Sequence, residues 1–223
     1  MVSRLNSRSV AVEAVIDVLS HWCYVALPAI ERLAQDERVE LSVKFAPINN
    51  GEPLRFSVEW EKWHYRRGTN VYGEVLRSDW FEGPATTTYA INAACLAAST
   101  MGSPLVRLLR ETMDAVYKGG ALAGREDVAV SLVASIAGVP IDALRSRMSD
   151  HSVTTQLVEN NRRLSALGAT ERPAFAATSN IGDSLVLRGI WKPDAILAPI
   201  GTMLEDADVY AQIGPCPHHE ESI

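Results

Sequence analysis

A serine and a cysteine lie three residues apart near the N-terminus, in the segment Ser20-His21-Trp22-Cys23. Two cysteines at this spacing would form a redox-active disulfide, but a serine at the first position cannot take part in dithiol exchange. Ser20 lies where a helix is predicted to begin, because serine is a favoured N-cap residue. The unpaired N–H groups and the positive dipole end of a helix N-terminus favour a nearby anion. We therefore expect this turn to bind an external thiolate, to which the Ser20 hydroxyl would donate a hydrogen bond.

Each residue of the turn also has a second interpretation. Ser20 is either this donor or an N-cap without a catalytic role. Cys23 is either a buried structural thiol or a single redox thiol that forms mixed disulfides. His21 is either a proton shuttle or substrate contact, or a solvent-exposed turn residue. Trp22 is either a packing anchor or a stacking surface, and the preceding Asp17 is either a hydrogen-bonded buried carboxylate or a charge that tunes the site.

A strand, a helix and a second strand are predicted to position this turn. The run from Val10 to Leu19 is nearly all apolar, as in a central strand, and Val39 to Phe45 alternates between apolar and polar residues. A helix between two strands favours a parallel pair with a right-handed crossover. Pro28 should kink the helix. The helix is predicted to bury one face: Trp22, Val25, Ala26, Ala29, Ile30 and Leu33.

The middle of the chain reads as helical, and strands return only near the C-terminus. Helices separated by Gly-rich or Pro-containing breaks are predicted at 57–67, 86–100, 104–118, 125–137 and 141–148. A further helix at 152–167, short strands at 174–178 and 184–187 and a helix at 194–204 follow. We therefore predict a domain made of residues 1–50 and 151–223, with a polar, mobile C-terminal tail from Glu205 onward. Residues 51–150 form an all-helical insertion domain.

Three segments resemble one known family. Residues 17–24 resemble the D-x-x-C-P-W-C-Y turn of DsbA-like proteins, with Ser20 in place of the first cysteine. Residues 168–175 resemble the segment in which that family has a cis-proline before its third strand, here Pro173. Residues 189–194 lie where the family turns from its last strand into its last helix. The resemblance implies an α/β thioredoxin fold with an all-helical insertion.

The same resemblance implies an activity. Kappa-class glutathione transferases and 2-hydroxychromene-2-carboxylate isomerases resemble DsbA relatives that have serine at the first cysteine position, where it hydrogen-bonds the sulfur of bound glutathione. This implies an isomerase or transferase in which Ser20 positions a thiolate or a substrate oxyanion. The expected cofactor is glutathione or another low-molecular-weight thiol, and the expected substrate is a small, unsaturated or aromatic molecule. Two alternatives remain open: an oxidoreductase that uses Cys23 alone, and a non-catalytic binding protein.

One segment departs from the transferase pattern. Kappa-class transferases follow their last strand with Gly-Ser-Asp, whereas this chain has Gly189-Ile190-Trp191. The departure leaves three interpretations: a different thiol, a pocket rebuilt for a substrate that needs no thiol, or a lost activity.

Further ligand contacts are predicted near the cis-proline and in the insertion. Arg172 is either beside a bound anion, with its backbone paired to an extended ligand, or a surface arginine. Trp63 and Arg66 belong to a segment that either forms an aromatic lid over the site or packs in the core. Trp191 is expected to lie against the same aromatic group. The other members of this aromatic group are Trp60, His64, Trp80 and Phe81. Cys95 reads as a core thiol, and residues 216–219 as an adventitious metal site at most, so no metal cofactor is expected.

Composition excludes several function classes. The formal net charge of -6 argues against a protein that binds the phosphate backbone of nucleic acids. No apolar run is long enough to span a membrane, so no membrane association is expected. Three scattered cysteines fit a reducing compartment, and residues 1–9 read as a mature N-terminus, so we predict a cytoplasmic protein. A homodimer is suggested by the resemblance alone.

Overall fold

Four strands form one mixed sheet in the order β2-β1-β3-β4. The computed structural model describes residues 9–213. The strands are β1 (Val10–Ile16), β2 (Val39–Phe45), β3 (Ala174–Ser179) and β4 (Ser184–Arg188). β1 runs parallel to β2 and antiparallel to β3, and β4 runs antiparallel to β3. The predicted parallel pair is confirmed, and so is the α/β thioredoxin fold with its helical insertion.

Helices cover both faces of this sheet. α1 and α8 pack together on one face, and α7 packs on β2 from the other. A short 3₁₀ turn, Ile48–Gly51, leads from β2 into the insertion, which contains α2 to α6. The division into domains at residues 50 and 150 stays a prediction. The helices are α1 (His21–Gln35), α2 (Val58–Tyr72), α3 (Tyr89–Thr100), α4 (Leu105–Tyr117), α5 (Glu126–Ala137), α6 (Ile141–Met148), α7 (His151–Ala166) and α8 (Pro193–Ile213).

Several element boundaries differ from the prediction; α2, for example, continues through Gly68 to Tyr72 and does not end at residue 67. β1 ends at Ile16 and not at Leu19, because the Asp17 carboxylate accepts the Leu19 N–H at 2.6 Å and closes a turn there. The last helix does not end at residue 204 but continues to Ile213, so the expected mobile tail from residue 205 is wrong up to that point. Ala207 is buried and continues the apolar stripe of α8 past the predicted end.

The first helix is buried over a wider arc than predicted. Trp22 and Val25 are only half-buried, whereas His21, Cys23 and Leu27 are buried. The reason is that α1 is covered by the sheet, by α8 and by α4 from the insertion, so that more than one face loses contact with solvent. The helix continues through Pro28, whose side chain lies on the exposed side.

The described residues include no single helix that is long and apolar enough to cross a membrane. The bent pair of α5 and α6 passes the same test by length and composition alone.

A buried polar side chain attaches the insertion to the turn before α1. The Asn92 carbonyl oxygen, on α3, accepts the backbone N–H of Val18 at 3.1 Å. The Asn92 amide nitrogen donates to the Thr88 carbonyl at 2.7 Å. Since Asn92 is fully buried, no water can take over either bond.

Replacing Asn92 by alanine should therefore destabilise the whole chain. The Asn92→Ala variant leaves the buried Val18 N–H without an acceptor, which costs about 1–3 kcal/mol of unfolding free energy. Urea unfolding followed by circular dichroism measures this loss. The control is Asn70→Ala on the exposed side of α2, which should change stability by less than about 0.5 kcal/mol. Equal losses in the two variants would contradict the attachment.

Candidate active site

A cavity of about 1120 Å³ lies at the N-terminus of α1, between that helix and the insertion. Its floor is Ser20, His21 and Trp22, and its walls come from the 3₁₀ turn, α2, the loop before β3 and Trp191. The cavity therefore brings together residues from both ends of the sequence.

Ser20 is the N-cap residue of α1, as predicted, but its side chain makes no capping hydrogen bond. Its backbone carbonyl accepts the N–H groups of Cys23 and Tyr24, at 2.9 and 3.1 Å. Its side chain lines the cavity and is 8% exposed. The hydroxyl is therefore not used in capping the helix, and the N–H groups of the first turn keep the positive electrostatic field of a helix N-terminus.

Cys23 is fully buried beneath this serine. Its Sγ accepts the Asp17 backbone N–H at 3.5 Å, and it also contacts the Ser20 hydroxyl. Burial raises the pKa of the Cys23 thiol to about 12, so the thiol stays protonated at neutral pH. A protonated thiol can donate to the Ser20 oxygen, and the Ser20 hydroxyl then keeps its own hydrogen for the cavity.

His21 is buried and not solvent-exposed, so that interpretation is wrong. Its ring lies 4.5 Å from the Tyr65 ring, 4.8 Å from the His64 ring and 4.7 Å from the Trp22 ring, between centroids. Burial lowers the pKa of His21 to about 3, with further contributions from His64 and Arg67. The ring is therefore neutral at physiological pH. Its Nε2 is buried without a hydrogen-bond partner, and this is a position where a ligand atom could bond.

Aromatic rings form one side of the cavity. The Trp22 ring lies 5.5 Å from both the Trp191 ring and the Tyr72 ring. Trp22 and Trp191 are half-buried and line the cavity, so they offer a surface on which a flat ligand can stack.

The first helix of the insertion, α2, contributes further rings to the cavity wall. The rings of Trp60 and His64 stack at 5.0 Å, and Trp60 and Trp63 are 42% and 49% exposed, so these tryptophans are not core residues. Arg66 is exposed and does not line the cavity, in contrast to the prediction. Arg67 lines it instead and lies over the Trp63 ring, because positions 63 and 67 share a helix face.

Trp80 and Phe81 belong mainly to the core. Both are buried, and the Trp80 Nε1 donates to the Tyr65 hydroxyl at 2.7 Å. Trp80 also reaches the edge of the cavity, whereas Phe81 does not. Cys95 is fully buried on α3, as expected for a core thiol.

The Arg172–Pro173 peptide bond is cis, as the resemblance implies. Pro173 itself is buried and does not line the cavity, and its carbonyl accepts the Gly189 N–H at 3.1 Å. Arg172 is half-buried, so the surface interpretation is wrong. Its guanidinium donates to the carbonyls of Ala46 at 2.7 Å and Pro47 at 3.0 Å, which connects the loop after β2 to the loop before β3.

These bonds limit what Arg172 can do for a ligand. The Arg172 guanidinium also donates a third hydrogen bond, to the Asn161 amide oxygen at 2.6 Å. With most of its N–H groups bonded to the protein, Arg172 contributes positive charge to the cavity wall more than it contributes open hydrogen-bond donors.

Glu61 and Arg55 are two of the cavity residues that the sequence analysis did not identify. Glu61, on α2, is 6% exposed, and burial raises the pKa of its carboxyl to about 7. Arg55 lines the cavity with a left-handed backbone, φ 62°, which is strained for a residue with a side chain. The spacing of Glu61 with His64 and Tyr65 was the only available signal, because these three share one helix face.

No group of three or more histidine, cysteine, aspartate and glutamate side chains in residues 9–213 could hold a metal ion. The segment Cys216-Pro217-His218-His219 lies outside the described residues.

Several solved structures share this fold at low sequence identity. The cytosolic disulfide reductase DsbM from Pseudomonas aeruginosa, in a structure with GSH, is 20% identical with a TM-score of 0.69, and covers 87% of this chain and 99% of that chain. A 2-hydroxychromene-2-carboxylate isomerase is 16% identical with a TM-score of 0.63, over 92% of this chain and 100% of that chain. DsbA from Pseudomonas aeruginosa is 12% identical with a TM-score of 0.58, over 95% and 90%.

No curated protein sequence matches the chain. A family model does match, and it spans residues 11–196, which include all of the cavity residues described above and all of the sheet except Val10. The chain therefore belongs to the DSBA-like thioredoxin domain family.

Proposed function

We propose that this protein is a thiol-dependent isomerase or transferase that binds glutathione, or another low-molecular-weight thiol, as its thiolate at Ser20. The proposal depends on one observation: the Ser20 hydroxyl lies at the N-terminus of α1, on the floor of a large cavity, without a capping bond.

The residues present fit a thiolate at this position. The Ser20 hydroxyl can donate to an anionic sulfur, and the helix dipole stabilises negative charge at the same point. The unpartnered Nε2 of His21 gives a second polar contact on the cavity floor. A bound thiolate supplies a nucleophile for an activated carbon atom of a substrate. Serine itself cannot supply this at neutral pH, so the chain would provide the site and the ligand the reactive group.

The cavity walls favour a flat, anionic substrate. Trp22 and Trp191, together with the stacked rings of Trp60 and His64, offer aromatic surfaces along the cavity. Arg55 and Arg67 line the same space, and neither forms an ion pair within the described part of the chain. A substrate with an aromatic ring and a carboxylate would pair with both features. The 2-hydroxychromene-2-carboxylate in the name of the isomerase with the same fold supports this class of substrate, and the GSH in the DsbM structure supports the thiol.

The alternative of an oxidoreductase that uses Cys23 alone is less favoured. Such an enzyme needs an accessible thiolate, but Cys23 is fully buried and its pKa is raised. The third alternative, a non-catalytic binding protein, would keep the cavity and its ligand but carry out no turnover. A cytoplasmic location remains part of the proposal, because a reducing compartment supplies the thiol. The homodimer that the resemblance suggests is also part of it.

Replacing Ser20 by alanine should weaken thiol binding without unfolding the chain. Loss of a charge-assisted hydrogen bond of about 1.5–3 kcal/mol lowers the affinity for glutathione about tenfold or more. Because Ser20 makes no capping bond, the melting temperature should barely change. Isothermal titration calorimetry gives the affinity. The matched control, Ser149→Ala, removes an exposed hydroxyl at the end of α6 and should bind glutathione like the wild type. Unchanged binding in the Ser20 variant would refute the proposed role.

Cysteine labelling separates the thiol-dependent enzyme from the oxidoreductase. We expect iodoacetamide to leave Cys23 and Cys95 unmodified in the native protein at neutral pH and to modify both in urea, because both thiols are fully buried. Peptide mass spectrometry assigns the modified positions and distinguishes them from Cys216. Rapid native modification of Cys23 would instead favour the oxidoreductase.

A further inference from the structure

Glu61 is a buried carboxylate that faces the cavity without a partner. It lies on α2, is 6% exposed and lines the cavity wall. Within residues 9–213 its carboxylate forms no hydrogen bond and no ion pair, and burial is the cause of its raised pKa, to about 7. A buried carboxylate without partners is costly, and such groups occur preferentially at functional sites.

The position of Glu61 connects it to the floor of the cavity. His64 and Tyr65 lie three and four residues further along α2, one helical turn away and on the same face. Their rings contact the His21 ring at 4.8 and 4.5 Å, and His21 directly follows Ser20. Glu61 is therefore one helical turn from the two rings that contact His21, the neighbour of Ser20.

The other ionisable groups at the cavity are poorly suited to take up a proton. The pKa of His21 is about 3, and burial also lowers the pKa of His64, with Arg67 adding to the effect. The Tyr65 hydroxyl is bonded to Trp80, and burial raises its pKa well above the ordinary value. The remaining charged residues on the walls are Glu52, Arg55, Arg67, Glu171 and Arg172. The two other carboxylates among them, Glu52 and Glu171, are exposed to solvent.

We propose that Glu61 is the base that activates the thiol: it accepts the proton that the thiol loses when it binds at Ser20 as a thiolate. This inference rests on the proposed function. In the step the S–H bond breaks, its electron pair stays on sulfur, and the proton forms an O–H bond with a Glu61 carboxylate oxygen. No oxidant, reductant or further reactant is needed. Neutralising Glu61 also removes a negative charge from the cavity as the thiolate enters it.

Proton release on glutathione binding tests this assignment without any turnover. Calorimetric titrations at neutral pH, in buffers of different ionisation enthalpy, count the protons released per bound thiol. At pH 7 the wild type should release about half a proton, because Glu61, with a pKa of about 7, is half ionised and takes up the other half, and Glu61→Gln should release about one. The matched control is Glu52→Gln, which neutralises an exposed carboxylate on the same cavity and should release as many protons as the wild type.

The outcomes distinguish the two proposals. Equal proton release by the wild type and Glu61→Gln, with glutathione bound to both, overturns the role of Glu61 and leaves the thiol site intact. Failure of the wild type to bind glutathione overturns both proposals. If Glu61→Gln does not fold, a carbon-13 titration of the wild-type Glu61 carboxyl in the presence and absence of glutathione decides the matter. Bound thiol must then raise the pH at which this carboxyl ionises, and an unchanged titration contradicts the proposal.

Discussion

The buried carboxylate of Asp17 holds three parts of the chain together at one point. It accepts hydrogen bonds from the Leu19 N–H, from the Ile48 N–H at 2.8 Å and from the Thr88 hydroxyl at 2.5 Å. These groups belong to the turn before α1, to the start of the insertion and to the segment before α3. Complete burial raises the pKa of Asp17, while its hydrogen bonds and the nearby Arg172 oppose that shift. Together with the Asn92 side chain, which accepts the Val18 N–H, this carboxylate positions the turn that carries Ser20.

Because residue 20 is a serine, the protein has no thiol of its own at the N-cap position of α1. The helix N-terminus that would activate a cysteine is retained, and the remaining thiol, Cys23, lies beneath the serine out of reach of solvent. The cavity next to this turn contains the Ser20 hydroxyl, the positive end of the α1 dipole and the buried carboxylate of Glu61. Under the proposed function, these groups control a proton and a negative charge and do not exchange electrons.

The sequence predicted the local elements well and the burial of individual side chains poorly. Hydrophobic periodicity located the strands, the first helix and Ser20 at its start, since these depend on neighbouring residues. Three features depend on how residues of α2 lie against the start of α1, and these two helices are distant in the sequence. They are the burial of His21, the presence of Arg67 and not Arg66 in the cavity, and the lack of a hydrogen-bond partner for the Glu61 carboxylate among residues 9–213. The extension of α8 was missed because the acidic residues Glu205, Asp206 and Asp208 interrupt the apolar pattern, and in residues 205–213 only Ala207 is buried.

The helix that forms the outer wall contributes little to the core. Within α2 only Glu61, Tyr65 and Gly68 are buried, whereas the sheet and α1 hold most of the large apolar side chains that the chain buries. Substitutions on the cavity face of α2 can therefore alter the shape and charge of the cavity with little loss of core packing. The lining of the cavity can diverge on this one helix while the sheet and the serine turn are inherited unaltered.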